Sequence, residues 1–349
     1  MPLKRPDLSQ VDPAVRAYVE ALEAELERRK RAEAAEEGTE AHIETAEPPT
    51  TLNVVTISAG GWAKRTPRHP YLRQRRGGMG VFDLDAPEGD RPAFLAVADE
   101  SRDLIVITNL ARAFKLAVSD VPESPVRGKG QPLAAKASFE RDERVAAVVP
   151  HRENGFLAVL SWRGYVRCLP YTIFGASMTP GVSLYRASEF GAPASACWTS
   201  GEDDLFIATR LGSAIRFSER LVPVPGGAGI RLGETDAAVA VSAVKPDGGS
   251  AVFLIGADGK GTIRLMSGFA ANKSPGGGGK LAMNTDRLVS AVAIDRTDDV
   301  FVISRLGKMV RFRAREVPPK EGVVQGVNCV TLRADEVAAV TVGIEQRPS

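Results

Sequence analysis

The segment Asp299-Val-Phe-Val-Ile-Ser304-Arg-Leu-Gly307-Lys-Met-Val-Arg311 contains the pattern on which the fold depends. A run of β-branched and apolar residues leads into a short turn with glycine, and a second apolar run then carries a basic residue. This pattern is typical of a β-hairpin, because such residues suit strands and glycine accepts the backbone of a tight turn. The same pattern occurs at five earlier places, so internal repetition organises the chain.

The six hairpins follow each other at a nearly constant distance. The steps between them are 50, 53, 48, 49 and 46 residues when the aligned positions are Gly61, Ala111, Gly164, Gly212, Gly261 and Gly307. A glycine-bearing loop follows each hairpin, and after every loop except the last an apolar strand leads into the next repeat. Four short strands therefore fit in each period, which predicts an all-β, six-bladed β-propeller or β-pinwheel with four-stranded blades. We expect the final apolar run, Val337–Val342, to pack into the first blade and close the ring.

The residues outside the repeats predict further segments. Asp12-Pro13 is a suitable helix start, and an apolar stripe at helical spacing follows, made by Val15, Tyr18, Val19, Leu22 and Leu26. We expect an amphipathic helix in residues 1–32, a flexible acidic linker at 33–51, the repeat domain at 52–343 and a short tail at 344–349. The stripe leaves three alternatives open: docking on the domain, self-association, or binding of another protein.

Charge and composition limit the class of protein. The 349 residues carry a net charge of +2, and residues 1–50 are net −5, so the remainder is net +7 and mildly favours polyanions. Cys168, Cys197 and Cys329 lie far apart, which favours reduced thiols in a cytoplasm. No signal peptide or membrane-length apolar run is evident. We expect a cytoplasmic, nucleoid-associated protein that does not enter a membrane.

No pattern of catalytic, metal-binding or cofactor-binding residues emerges. His42, His69 and His151 have no metal-ligand spacing. The glycine run at 274–280 fails as a phosphate loop, since Leu281 stands where serine or threonine must meet magnesium. The aspartate pairs at 203–204 and 298–299 suit hairpin turns. We therefore expect no enzyme activity, no metal and no cofactor.

Basic residues recur in the repeats and predict a DNA-binding rim. Matching places are held by Arg65, Lys115, Arg167, Arg216, Arg264 and Arg311. The strand and loop positions that extend this set are Lys64, Gln74, Arg75, Arg76, Gly77, Gly78, Gly80, Arg127, Lys129, Arg231 and Lys280. A curved belt of cations suits the phosphates of double-stranded DNA, and the aromatic residues that single strands need are missing. The alternative for each residue is an ordinary solvated charge.

The segment Val54–Pro67, followed by Tyr71 and Gln74-Arg-Arg-Gly-Gly-Met-Gly80, resembles the opening of the C-terminal domain of the DNA gyrase A protein. The seven residues from Gln74 are similar to the gyrase A box. The stretches 209–217 and 304–312 resemble the repeat signature of that domain, to which the topoisomerase IV C-terminal domain is related. The resemblance covers about Leu52 to Val342.

This resemblance implies a six-bladed β-pinwheel that wraps duplex DNA around its rim, with gyrase or topoisomerase IV subunits as possible partners. Met79 stands where the box usually has a basic residue, so one phosphate contact is expected to be lost. We expect the breakage–reunion part, with its DNA-linking tyrosine, to be absent, which leaves wrapping without strand cleavage. Two alternatives stay open: a propeller that serves as a protein-interaction platform, and a degenerate copy that binds nothing well.

Overall fold

The computed structural model describes residues 12–37, 47–133 and 138–343, with the helix side chains described as far as residue 25. The chain divides into two compact units, Met1–Thr45 and Ala46–Ser349, and each is described by itself. The predicted tail at 344–349 and positions 38–46 of the predicted linker lie outside the described residues.

The first unit contains one helix, Pro13–Glu37, whose first turn is capped by Asp12 Oδ1, which accepts a hydrogen bond from the Ala14 N–H at 2.8 Å. The helix continues five residues past the predicted end at residue 32. The prediction of linker from residue 33 was wrong there, because alanine and glutamate are among the strongest helix formers even without an apolar pattern. None of the helices in the described residues has the length and hydropathy that a bilayer crossing requires.

The second unit is a six-bladed β-propeller, so the predicted fold class is confirmed. Each blade has an inner, a second, a third and an outer strand, in that spatial order. The inner strands are Pro92–Asp99, Val145–Pro150, Pro193–Thr199, Ala238–Val244, Leu288–Ile294 and Val337–Gly343. The second strands are Leu52–Ser58, Asp103–Thr108, Phe156–Ser161, Asp204–Thr209, Ala251–Gly256 and Asp299–Ser304. The third strands are Trp62–Pro67, Arg112–Ala117, Tyr165–Pro170, Ser213–Ser218, Lys260–Leu265 and Lys308–Arg313.

The outer strand of each blade comes from a different repeat. Gln131–Pro132, which follows the second hairpin, pairs with the third strand of the first blade. The outer strands of blades one to six are Gln131–Pro132, Val182–Ser183, Gly227–Ala228, Lys280–Leu281, Pro319–Lys320 and Val81–Phe82. Val327–Asn328 is a further short strand at the fifth edge, and Leu84–Asp85 pairs with Gly128–Lys129. Every blade is therefore completed by the repeat that follows it around the ring.

The ring closes at the outer edge and not through the last strand alone. Val337–Gly343 pairs with Asp299–Ser304 as the inner strand of the sixth blade, so its predicted place in the first blade was wrong. The first blade already has Pro92–Asp99 as its inner strand, because each repeat begins at its second strand and ends with its inner one. Closure comes from Val81–Phe82, which the first repeat contributes to the sixth blade, while the last inner strand contacts the first one.

The core lies between neighbouring blades. Between the third and fourth blades, for example, Leu160 and Val166 pack with Ile207, Ile215 and Phe217, all of which are buried. Full burial of such a side chain contributes about 1.5–3 kcal/mol, so stacked blade faces supply much of the stability. The inner strands of all six blades line a central channel of about 1540 Å³.

The hairpin turns fix the alignment of the repeats. The residue before each third strand has a positive φ: 84° at Gly61, 55° at Ala111, and 82°, 81°, 82° and 83° at Gly164, Gly212, Gly259 and Gly307. The fifth member is therefore Gly259, and its predicted equivalent, Gly261, was two residues too late. This shift changes which basic residues are equivalent.

Candidate nucleic-acid interface

Four basic side chains, and not six, recur at one position of the repeat. The fourth residue after each positive-φ turn residue is Arg65, Lys115, Cys168, Arg216, Ile263 and Arg311 in chain order. Arg167 lies one position earlier and Arg264 one position later. Since successive side chains of a strand point to opposite faces of the sheet, these two lie on the other face from the four.

Two of the four recurring cations are buried and paired inside their own blade. Arg216 Nε donates to Asp204 Oδ2 at 2.8 Å, and Arg311 Nε donates to Asp299 Oδ2 at 3.0 Å. Each arginine also donates to carbonyl oxygens beyond its own hairpin, Arg216 to Met266 O at 3.0 Å and Arg311 to Tyr71 O at 3.0 Å. These guanidiniums tie one blade to the turn of the next.

Arg65 and Lys115 make the same arrangement in a looser form. Arg65 Nη1 donates to Asn53 Oδ1 at 3.3 Å and to Glu123 Oε2 at 2.8 Å. Lys115 Nζ lies 3.8 Å from Asp103 Oδ2 and donates to Gly175 O at 3.1 Å. In all four blades the partner precedes the cation by 12 residues, a spacing that the sequence could have revealed.

The remaining strand cations lie on the opposite face and are also turned inward. Lys64 is fully buried, and its Nζ lies 2.8 Å from Asp83 Oδ1. Burial lowers the pKa of Lys64, and the charge of Asp83 opposes that change. Arg167 donates to Leu184 O, and Arg264 donates to Gly268 O at 3.3 Å. Because Lys64, Arg216 and Arg311 are at most 3% exposed and each is paired with a carboxylate, we assign them to the fold and not to direct contact with a DNA surface.

The box-like segment Gln74–Gly80 lies on the seam between the first and last repeats. The Gln74 N–H donates to Arg311 O at 2.7 Å, and the Gly77 N–H donates to Cys329 O at 2.8 Å. The Thr331 N–H donates to Gly78 O at 3.0 Å, while Gln74 Oε1 accepts from the Gly80 N–H at 3.3 Å. These backbone contacts give the segment a structural part in ring closure.

Gly80 should be intolerant of any side chain. Its φ is +75°, and a Cβ there would lie 2.7 Å from Met309 O in the third strand of the sixth blade. We expect Gly80→Ala to lower the free energy of unfolding by about 2 kcal/mol or more, from left-handed strain plus the clash. Chemical denaturation measures this. Gly89→Ala is the matched control, because Gly89 has φ +83° with nothing near its Cβ position. Equal losses in both variants would mean that the contact with Met309 contributes nothing.

A charge network of buried and partly buried side chains lies at the same seam. Glu47 Oε1 accepts from Arg68 Nε at 2.9 Å, and Glu47 Oε2 lies 2.6 Å from Arg311 Nη2. Asp299, the other partner of Arg311, also lies 2.8 Å from Arg73 Nε. Burial alone would raise the pKa of Glu47, but the hydrogen bonds and charges of Arg68 and Arg311 outweigh it, and the pKa lies below its ordinary value.

This network predicts a pH dependence of stability. A carboxyl with a lowered pKa stabilises the fold above its unfolded value, near 4.5, and that contribution is lost as the pH falls through the folded value. We expect Glu47→Gln to cost about 1.5 kcal/mol at pH 7, and the difference from wild type to shrink as the pH falls below about 4.5. Urea unfolding at pH 7, 5, 4 and 3 measures it. A difference that does not change with pH would contradict the ion pairing.

The exposed cations lie elsewhere, on the segments that form the blade edges. We call the exposed residues Arg75, Arg127, Lys129, Arg231 and Lys280 the rim cations. Arg76 is partly buried, and its backbone N–H donates to Glu316 Oε2 at 2.8 Å. Met79 is 53% exposed, so the residue that departs from the box pattern lies at the surface.

Sequence reasoning missed two further exposed lysines at these edges, Lys273 and Lys320. Lys320 lies in an outer strand and Lys273 lies in the loop that leads to the outer strand Lys280–Leu281, and those positions were the signal that could have found them. The edge of the second blade differs, because residues 175–185 contain no charged side chain. No cluster of histidine, cysteine or carboxylate side chains in the described part of the chain could hold a metal ion.

Comparison with protein families and curated proteins identifies relatives of the body. The family model described as "DNA gyrase C-terminal domain, beta-propeller" matches residues 52–97, 102–152, 203–245 and 298–320. The DNA gyrase A protein of Mycolicibacterium smegmatis is 27% identical over 293 residues, covering 80% of this chain and 34% of that protein. The DNA gyrase A protein of Escherichia coli K12 is 29% identical over 297 residues, covering 81% and 33%. The chain thus spans about a third of the length of these relatives.

Solved structures agree on the fold. A DNA gyrase A C-terminal domain superimposes with a TM-score of 0.76 at 20% identity, covering 84% of this chain and all of that domain. The C-terminal domain of a DNA topoisomerase IV gives a TM-score of 0.58 at 17% identity, covering 83% and 93%. These structures show the shared fold, and together with the family model and the curated relatives they confirm the resemblance stated from the sequence.

Proposed function

The body of this chain is a relative of the DNA gyrase C-terminal domains, and from that premise we propose that it binds and bends duplex DNA along its blade edges without cleaving it. The observation that carries the proposal is the placement of the five rim cations, which are exposed on the edges of four different blades. Contacts to phosphates fix the position of a duplex without reading its bases. We therefore expect binding with little sequence preference.

The number of rim cations is sufficient for bending. Smooth bending of a 20–30 bp duplex costs on the order of 1–6 kcal/mol, while one hydrogen bond to a charged group contributes about 1.5–3 kcal/mol. Three or more simultaneous phosphate contacts would offset the cost. The uncharged edge at 175–185 interrupts the series, so we place the duplex on the other blade edges.

Binding and ligation experiments test this proposal. Affinity for a duplex of about 40 bp should fall steeply between about 50 and 200 mM salt, because each neutralised phosphate releases counterions. Closing a nicked plasmid with ligase in the presence of the protein should change its linking number if the DNA is wrapped. A salt-independent affinity, or an unchanged linking number at saturating protein, would overturn the proposal.

A second candidate is a protein-interaction platform, which exposed apolar residues at the hairpin turns favour. Leu110, Leu211 and Leu306 are 38%, 40% and 52% exposed at equivalent turns, and Trp162 is 45% exposed at another. Changing the three leucines to serine should abolish binding to purified gyrase or topoisomerase IV subunits if this surface docks them. If the leucine variant still binds DNA while the variant Arg75→Glu/Arg231→Glu no longer binds DNA, the protein-docking surface and the DNA-binding surface are separate.

We also propose that the protein acts in the cytoplasm, on nucleoid DNA.

A further inference from the structure

Arg264 is a buried cation that lacks the partners its neighbours have. It is 5% exposed, and its one hydrogen bond runs from Nη2 to Gly268 O at 3.3 Å. Its Nε and Nη1 have no partner among the described residues. The neighbouring blades hold the fully buried Phe217 and Phe312 at the equivalent position, so neither packing nor the repeat explains an arginine here. A buried charge with no carboxylate in ion-pair contact is costly, and it indicates a place for an anion.

A second cation lies against the same aromatic ring. Lys280 Nζ is 4.2 Å from the centroid of the Phe269 ring, and Arg264 Cζ is 5.6 Å from it. Lys280 is exposed and is the member of the pair that solvent reaches, whereas the guanidinium of Arg264 lies buried behind it. Among the described residues no carboxylate comes within 4 Å of either cation. Glu321 is the acid that acts on Arg264, and its carboxylate accepts from Ser267 Oγ at 2.9 Å.

The loop that leads to Lys280 suits close approach by an anion. It contains four consecutive glycines, 276–279, so these four residues add no side chain of their own over the backbone. Exposed Arg231 lies beside it, because a Cβ built on Gly278 would be 3.8 Å from Arg231 Nη2. The loop lacks the pattern of a nucleotide phosphate loop, but a glycine-rich backbone flanked by cations is a suitable environment for a single phosphate group.

We propose that Arg264 and Lys280, at the boundary of the fourth and fifth blades, form a dedicated binding site for one phosphate group. The inference rests on the proposed function, since the group it assigns to this site is a backbone phosphate of the bound duplex. Among the exposed edge contacts, this one would differ by having a buried guanidinium behind it. It would then fix the position of the duplex along the rim, while the other contacts tolerate sliding.

The test compares Arg264→Met and Lys280→Met with Lys260→Met, in the full chain. Lys260 lies at the start of the same strand and is paired with Asp258 at 3.6 Å, so it controls for loss of one charge. In phosphate-free buffer Arg264→Met should melt no lower than wild type, because it removes an unpaired charge. Inorganic phosphate should raise the melting temperature of wild type and Lys260→Met, but not that of Arg264→Met. Both test variants should bind a 40 bp duplex about tenfold more weakly, with a salt slope smaller by about one.

The outcomes separate the inference from the function on which it rests. A phosphate-induced shift that persists in Arg264→Met would overturn the site. A shift lost in Arg264→Met together with an unchanged duplex affinity would overturn the assignment to backbone phosphate and leave free phosphate as the ligand. If wild type binds phosphate through Arg264 but binds no duplex, the proposed function fails while the anion site stands.

Discussion

Replacing all five rim cations with glutamine should reduce affinity for a 40 bp duplex by about a thousandfold or more at ~0.1 M salt. The variant is Arg75→Gln, Arg127→Gln, Lys129→Gln, Arg231→Gln and Lys280→Gln combined. Each phosphate contact contributes about 0.9 to the slope of log affinity against log salt, so the slope should also decrease by about 4 to 5. Fluorescence anisotropy at four salt concentrations measures both quantities.

A matched variant controls for net charge in this experiment. Five exposed arginines away from the blade edges can be changed to glutamine together: Arg102, Arg152, Arg163, Arg220 and Arg296. Both variants lose the same formal charge, and both should melt near the wild-type temperature because they alter surface residues. If the control loses as much affinity as the rim variant, the protein binds DNA through its overall charge and the blade edges have no special part.

The second large effect should be on stability and should spare DNA binding. Lys64 and Asp83 are both fully buried, and Asp83 also accepts hydrogen bonds from Thr56 Oγ1 at 2.7 Å and from the Tyr71 hydroxyl. Removing one partner of a buried ion pair costs about 3–5 kcal/mol, because the other charge stays behind. Lys64→Met should therefore lower the melting temperature by roughly 10 °C.

Two further variants test whether Lys64 acts on stability and not on DNA binding. The double variant Lys64→Met/Asp83→Asn should recover part of the loss, because neither charge is then left uncompensated. Lys129→Met, which changes an exposed lysine, should melt like wild type but bind DNA more weakly. A melting temperature unchanged by Lys64→Met, or a folded Lys64→Met protein with weakened DNA binding, would contradict the structural role assigned to Lys64.

The repeat, the blade number and the hairpins were predictable because their signals are local. A run of apolar residues and a turn residue with positive φ lie within a dozen positions of each other, as in the segment Asp299–Arg311. The outer strands were not predictable in the same way. Strands of two residues, such as Val81–Phe82, carry no periodicity, and only the folded ring shows which repeat they complete.

The candidate site was harder to predict, because basic residues of different repeats were aligned at positions that are not equivalent in the strands. Arg264 was aligned with Arg216 although it lies five residues after the turn residue Gly259, whereas Arg216 lies four residues after Gly212. A shift of one position moves a side chain to the other face of a sheet. Burial could not be read from the basic residues themselves, because Arg216 and Arg311 are recognisable as internal only through their acidic partners 12 positions earlier.

Because each sheet borrows its last strand from the repeat ahead, no repeat is a self-sufficient folding unit. Deleting one 50-residue repeat would remove the outer strand of the preceding blade. The next repeat would then offer that blade an outer strand that normally completes a different blade. The ring should accordingly unfold as a whole, with no stable five-membered intermediate. Over evolution, such a protein can gain or lose a copy only when the new neighbours already fit one another, which helps to keep the number at six.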